Sequence, residues 1–310
     1  MTGKSPTERL RADDAGIARA AELLRDGGLV ALPTETVYGL AARADSDAAV
    51  ARIYAAKGRP CFNPLIVHVA SLERAEALAE FSDTARDLAA AHWPGPLTLV
   101  LPRRRDATLA AAVTAGLPTL ALRWPAHPVM QAVLSATGLP LAAPSANRSG
   151  FVSPTTAEHV LATLDGRIDA VLDAGPCATG VESTIVAVRE DGRVDVLRPG
   201  PIAFEAGSGA GSGIEAPGQL ASHYAPGKPL RLGAKGAREG EFLIGFGALA
   251  GDCTLSGTGN LGEAAARLYA CLHAAAQAPQ PRIAVAPIPE LGIGIAINDR
   301  LRRAATPAED

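Results

Sequence analysis

Short apolar runs alternate with helical segments along most of the chain, which confines it to the α/β class. The runs "LVALP" (29–33), "LIVHVA" (65–70), "PLTLVLP" (96–102), "TLALRWP" (119–125), "AVLDAG" (170–175), "STIVAV" (183–188) and "VDVLRPG" (194–200) have strand length and mostly end in Pro or Gly. Residues 140–147, "PLAAPSAN", read as a strand running into a loop. Between the runs the pattern predicts helices over 14–26, 47–56, 72–80, 83–92, 128–137 and 155–163. A mixed, twisted sheet with an open crevice is expected. Hydrophobic residues make up 48% of the chain but aromatics only 4%, so Ala, Val, Leu and Ile must fill the core.

A length of 310 residues suits two domains. Composition shifts at 205 to Gly, Ser, Ala and Pro, without GxxxxGK[ST] or a clean GxGxxG after a strand. The stretch 205–229 therefore reads as a linker, with 206–213 its flexible part. Strands at 242–247 and 282–288, a helix over 261–276 and another from about 295 form a smaller, Rossmann-like α/β unit over 230–310. The expected division is 1–204, 205–229 and 230–310. Cys61, Cys177, Cys253 and Cys271 have no CxxC or zinc spacing and are expected to be reduced packing residues. No apolar run reaches about 18 residues and no secretory pattern opens the chain, so a soluble, cytoplasmic protein with no membrane contact is expected.

Charge excludes a general nucleic-acid binder. Residues 1–204 hold 20 Lys+Arg against 22 Asp+Glu, and 205–310 hold 9 against 10, so any anion site must be local. Four of the 29 basic residues are lysines, and Lys57 is the only one between Lys4 and Lys228. It opens "KGRPCFNPL" (57–65), where two cations, two prolines and an amide stand directly before a strand. Other polar groups also cluster where strands end: Thr34, Glu35 and Thr36, then His68, Arg123, Ser145 and Asn147, with Ser153 beyond, then Glu182 and Ser183, and Arg198. Ligands of α/β sheets sit in such crevices. Arg and Lys there suit phosphate or carboxylate. No Ser-His-Asp pattern, HExxH or paired carboxylates accompany them, so neither a covalent nucleophile nor a transition-metal site is expected. Each residue also has a plain alternative: a solvated helix end for Lys57, a core histidine for His68, turn residues for Ser145 and Asn147, and a surface acid for Glu182.

The collinear motifs "PTETVYGL", "KGRPxxNPL", "WPGPLTLVL", "LRWP", "APSANRSGxxSPTTAEHV", "GVESTIV" and "LRPGPI" resemble the YrdC-like family over residues 10–204. The tail with "APGQLASHYAP" resembles its long form, which adds a linker and a second domain. The resemblance implies a nucleotidyltransferase that converts L-threonine, bicarbonate and ATP to L-threonylcarbamoyl-adenylate and diphosphate. A partner tRNA threonylcarbamoyl-transferase machinery would use the product beside the anticodon. It further implies that Lys57 and Arg59 are catalytic and bind ATP together with Asn63, Thr119, Ser145, Asn147, Ser153, Arg198 and Tyr224. Thr36, His68, Arg123, Ala143 and Ser183 would form the threonine pocket. Mg²⁺ would arrive on the ATP phosphates, with no metal site in the protein. The sequence departs from the family at Ala41, where Gly is frequent, and at Gln219, Leu220, Ala221 and Ser222, where Met and basic residues are usual. Two other classes stay open: a double-stranded RNA or tRNA-binding module, with weak RNA binding, and a carbamoyl-adenylate-forming domain like that of hydrogenase maturation proteins.

Overall fold

Gly58 adopts the left-handed conformation, with φ 59°, and stops a helix whose last residue is Lys57. Ser46 caps the other end of that helix by accepting from the Ala49 N–H. Local signals of this kind set most elements of the computed structural model, which describes residues 6–204, 214–219 and 223–306.

The first unit contains ten strands. They are β1 (Glu8–Arg11), β2 (Val30–Leu32), β3 (Gly39–Arg43), β4 (Ile66–His68), β5 (Leu97–Pro102), β6 (Thr119–Arg123), β7 (Leu141–Ala142), β8 (Ala170–Asp173), β9 (Thr184–Val188) and β10 (Val194–Arg198). They form one mixed sheet in the order β1-β8-β2-β3-β7-β4-β6-β5-β9-β10. Its helices are α1 (Asp14–Arg25), α2 (Asp47–Lys57), α3 (Leu72–Glu76), α4 (Asp83–His92), α5 (Pro128–Thr137) and α6 (Ala157–Leu164). The two-residue period of the strands divides the core. Val30 and Leu32 pack with residues of α1 and α5, whereas Ala31 joins the cluster on the other side, with Ile53 of α2 and Ala89 of α4. As the composition requires, that core is largely aliphatic.

β1 and β3 were not expected. β1 buries only Leu10, which leaves almost no apolar pattern to read. β3 follows β2 so closely that the two pair antiparallel, Val30 opposite Ala41. Ala41 itself is fully buried in the core.

The second unit has a four-stranded, all-parallel sheet in the order β11-β14-β12-β13, from β11 (Leu230–Arg231), β12 (Glu241–Gly245), β13 (Cys253–Thr254) and β14 (Arg282–Val285). Helices α7 (Leu261–Gln277) and α8 (Gly294–Ala305) pack with it. Its core does not stop at its own boundary. Val37, Val152, Val181 and Tyr224 belong to the same buried cluster as Phe242, Tyr269 and Leu272.

The cysteine expectation needs correction. Cys253 and Cys271 form a disulfide, and Cys61 is exposed; Cys177 is buried and free. The pair lies 18 residues apart and meets only because α7 packs beside β13, so no local spacing announces it. Among the described residues no helix is long and apolar enough to cross a membrane. The linker part expected to be flexible, 206–213, and Leu220, Ala221 and Ser222, lie outside the described residues.

Candidate active site

Parallel pairing of β4 and β6 sets His68 beside Arg123 at the carboxyl ends of both strands. Arg123 is buried, and its Nη1 donates to Thr36 Oγ1 at 3.0 Å while its Nε donates to the Gly95 carbonyl at 3.2 Å. Its Nη2 lies 2.7 Å from Glu35 Oε1 without the alignment of a hydrogen bond, so this nitrogen can still meet a second carboxylate. His68 is buried, and its Nδ1 has no hydrogen-bond partner. Burial, with Arg123 adding to it, pushes the imidazole down to about 3, so at neutral pH it is an uncharged hydrogen-bonding group. Ser183 stands alongside, its hydroxyl sharing a 2.8 Å hydrogen bond with Thr98 and accepting from Arg198 Nη2 at 3.0 Å.

Three further cations surround the other part of the crevice. Lys57 Nζ donates to the carbonyls of Ser145 and Asn147, each at 2.5 Å. Arg59 Nη2 donates to Pro64 O at 3.0 Å and its Nε to Asn63 O at 3.3 Å. Arg198 reaches the Ser183 carbonyl through Nε and Nη2 at 3.1 and 3.0 Å, and Pro217 O through Nη1 at 3.4 Å. All three are buried, and among the described residues none forms an ion pair with a carboxylate. Burial lowers each of their pKa values: Lys57 well below the usual lysine range, Arg59 to about 10, and Arg198 below the usual arginine range. Three desolvated cationic groups held mainly by backbone carbonyls, with the Ser183 hydroxyl on Arg198, suit an anion. The prolines and the buried strand after Asn63 fix the loop that carries two of them.

Of the residues named from the sequence, Thr36, Arg59, His68, Arg123, Ala143, Ser145, Ser183, Arg198 and Tyr224 line one crevice. Lys57, Asn63, Asn147 and Ser153 are buried but do not line it. Thr119 opens β6 at its far end, where the pairing Ile66–Ala121 places the chain entering β4. It also is not in the lining.

The plain alternatives fail for several of these residues. Lys57 is 2% exposed, so it is not a solvated helix end, and Glu182 is 5% exposed, so it is not a surface acid. Tyr224, expected to reach back over the site, is buried in the crevice wall with φ 63°, and its hydroxyl has no hydrogen-bond partner. Arg189 holds the linker down through Glu215 at 2.6 Å. Gln219, one of the departures from the family pattern, closes the turn by accepting from the backbone N–H of Glu215 and Ala216 at 2.7 and 2.9 Å. With the described part of the linker so placed, the crevice leaves about 40 Å³, a few times the about 10–15 Å³ that one water needs.

Sequence reasoning gave no role to His223, Tyr269 or Arg300. His223 lines the crevice, and burial pushes it down to about 3. Arg300 did leave a signal: it falls on the stripe Ile297, Arg300, Leu301 and Ala304 that α8 buries. Among the described residues no cluster of three or more His, Cys, Asp or Glu is arranged to hold a metal.

Residues 22–200 match the family model described as "Telomere recombination", the Sua5, YciO and YrdC group, and residues 194–306 match "Threonylcarbamoyl-AMP synthase, C-terminal domain". The chain belongs to the threonylcarbamoyl-AMP synthase family. The Bacillus subtilis family member is 41% identical over 333 residues, covering 96% of this chain and 95% of the relative. The Pyrococcus abyssi member is 38% identical over 96% of both chains. Among solved structures, P. abyssi Sua5 complexed with L-threonine superposes on this family member with a TM-score of 0.88 at 35% identity, over 97% of this chain and 98% of that one. Escherichia coli YciO, at 20% identity and a TM-score of 0.54, shares the fold over 63% of this chain.

Proposed function

We propose that the protein makes L-threonylcarbamoyl-AMP and diphosphate from L-threonine, bicarbonate and magnesium-bound ATP. The observation that carries this reading is the crevice itself. Arg59 and Arg198 line one part of it, with buried Lys57 behind the loop, and among the described residues none of the three lies within ion-pair distance of a carboxylate. A guanidinium with a nitrogen to spare, Arg123, marks another, beside neutral His68. The first set suits a triphosphate, the second an amino-acid carboxylate. The relatives named threonylcarbamoyl-AMP synthase and the Sua5 structure with L-threonine support the assignment.

The chemistry asks for this charge pattern. The threonine amine must become a carbamate, which then attacks the α-phosphorus of ATP and expels diphosphate. Both reactants are anions. Arg59 brings its guanidinium to the crevice wall for the phosphates, while Lys57 adds positive charge from behind the loop whose carbonyls it holds. Asn63, Ser145, Asn147, Ser153, Arg198 and Thr119 complete the nucleotide side. Thr36, His68, Arg123, Ser183 and the backbone at Ala143 hold threonine. Magnesium enters with the nucleotide. Tyr224 and the linker exclude water from the carbamate and the mixed anhydride, which both hydrolyse easily.

The product then passes to the tRNA threonylcarbamoyl-transferase machinery in the cytoplasm. The division at 1–204, 205–229 and 230–310 remains our working division of the chain. The test is incubation with ATP, Mg²⁺, bicarbonate and threonine, scored by mass spectrometry for adenylate and diphosphate. Release that needs both threonine and bicarbonate is expected. Equal release with threonine omitted overturns the reading.

A further inference from the structure

Among the described residues, Glu182 is the one carboxylate lining the crevice. It sits where an anionic substrate must bind, and a bare carboxylate there would repel a triphosphate. Two of its partners come from outside the first sheet's unit. Arg300 Nε, on α8, donates to Oε2 at 2.8 Å. The Tyr269 hydroxyl, on α7, lies 2.9 and 2.8 Å from the two carboxylate oxygens. Ser153 donates to Oε1 at 2.6 Å. Arg300 is fully buried. Its guanidinium also lies over the Tyr224 ring, 5.4 Å from the centroid, and the Tyr224 and Tyr269 rings stack at 5.8 Å.

We infer that Arg300 and Tyr269 are positioning residues of the crevice: the second unit supplies the charge and hydrogen bonds that neutralise Glu182 and so let ATP bind beside it. The inference rests on the proposed reaction for the identity of the anion. It gives the second unit a task that its own sheet does not disclose.

The electrostatics agree with the geometry. Burial alone would raise the Glu182 carboxyl, but Arg300, then Arg198, offset this and hold it down at about 2. The groups facing Glu182 are Arg300, with Asp299 bound to it, Tyr269, Arg198, Ser153, and Tyr224 and His223 of the linker. Burial keeps His223 at about 3 and raises both tyrosines, so none of these three gains or loses charge between pH 5 and 8. Without Arg300, Glu182 keeps only Arg198 as a counter-charge and burial raises its pKa. It is then an unscreened anion at high pH and takes up a proton as pH falls.

The test compares wild type, Arg300→Met, Glu182→Gln/Arg300→Met and Tyr269→Phe. ATP affinity is measured by calorimetry without threonine, and both KM values are measured from pH 5 to 8. Arg300→Met should weaken ATP binding at least 10-fold at pH 8 and leave the threonine KM within about 3-fold. The defect should shrink toward pH 5. The double variant, which removes both charges, should recover ATP affinity to within about 3-fold of wild type, because every other group is common to both proteins. Tyr269→Phe, which keeps the ring packing, should weaken ATP about 3-fold in the same direction, and it decides the matter if Arg300→Met does not fold. A double variant no better than Arg300→Met, or a threonine KM that rises as much as that of ATP, overturns the inference. So does Tyr269→Phe with unchanged ATP affinity. A wild-type protein that binds ATP but makes no adenylate would instead sink the proposed reaction, while the calorimetric series would still decide the role of Arg300.

Discussion

The Lys57 ammonium donates to the backbone carbonyl of Asn147 at 2.5 Å, across 90 residues of chain. The same nitrogen holds the Ser145 carbonyl at 2.5 Å. One buried cation thus closes the loop after β7 onto the end of α2, which is why the only lysine between Lys4 and Lys228 sits there. A guanidinium is larger and planar, whereas an ammonium can point at two carbonyls from a narrow space.

Lys57→Met keeps the stem but removes the charge and leaves two carbonyls without their donor. Adenylate synthesis should fall by about 10²-fold or more, roughly 2.7 kcal/mol of transition-state stabilisation. Initial rates at saturating substrates check this. Unchanged turnover would return Lys57 to a packing role.

Arg123→Lys should separate the two substrates. Lysine cannot reproduce the donation to Thr36 at 3.0 Å and to Gly95 while reaching a carboxylate bidentately. The threonine KM should rise much more than the ATP KM. Serine should be a poorer substrate than threonine for the wild type by about 10- to 200-fold, the usual value of one missing methyl in a fitted pocket. Steady-state kinetics with each substrate varied in turn decide it; a larger shift for ATP would show that the site is divided wrongly.

Gly218 leaves no room for a side chain in the linker. It adopts φ 87°, and a Cβ there would stand 2.9 Å from Arg198 Cδ and 3.0 Å from the Tyr224 hydroxyl. Gly218→Ala should therefore lift the linker from the crevice. More of the adenylate should be lost to hydrolysis, seen as a higher ratio of AMP to adenylate. Tyr224→Ala should reproduce part of that loss. Wild-type ratios in both variants would reduce the linker to a tether.

Acid should destabilise the fold earlier than carboxylate protonation alone requires. Burial holds His68, His223 and His273 each at about 3, against an ordinary 6.5. Between those values the unfolded chain binds protons that the folded chain refuses, so stability falls as pH drops below about 6.5. Near pH 5 each histidine contributes a slope of about 1.4 kcal/mol per pH unit. Denaturant unfolding between pH 7 and 5 should show this fall, and His68→Gln should flatten it by one histidine's share. An unchanged slope in that variant would mean His68 is charged in the folded protein.

The sequence by itself determined the class of the fold, because alternating apolar runs and capped helices are written locally, within a few residues of one another. It also determined where chemistry concentrates, since cations and hydroxyls at strand ends break an otherwise apolar pattern. Nine of the residues so named line one crevice. Tertiary structure alone decided which partners those groups have. Lys57 was legible as an odd cation but not as the residue that fastens the Ser145–Asn147 loop. Arg123 was legible as a carboxylate fork but not as one already leaning on Glu35. Glu182 was legible as a strand-end polar group, with a surface acid as the alternative, but its partners Tyr269 and Arg300 lie 87 and 118 residues further on. The Cys253–Cys271 pairing was hidden for the same reason. Propensity and periodicity act over one turn or one strand, whereas the charge of a buried group is set by whatever the fold brings within a few ångströms, and no spacing along the chain encodes that.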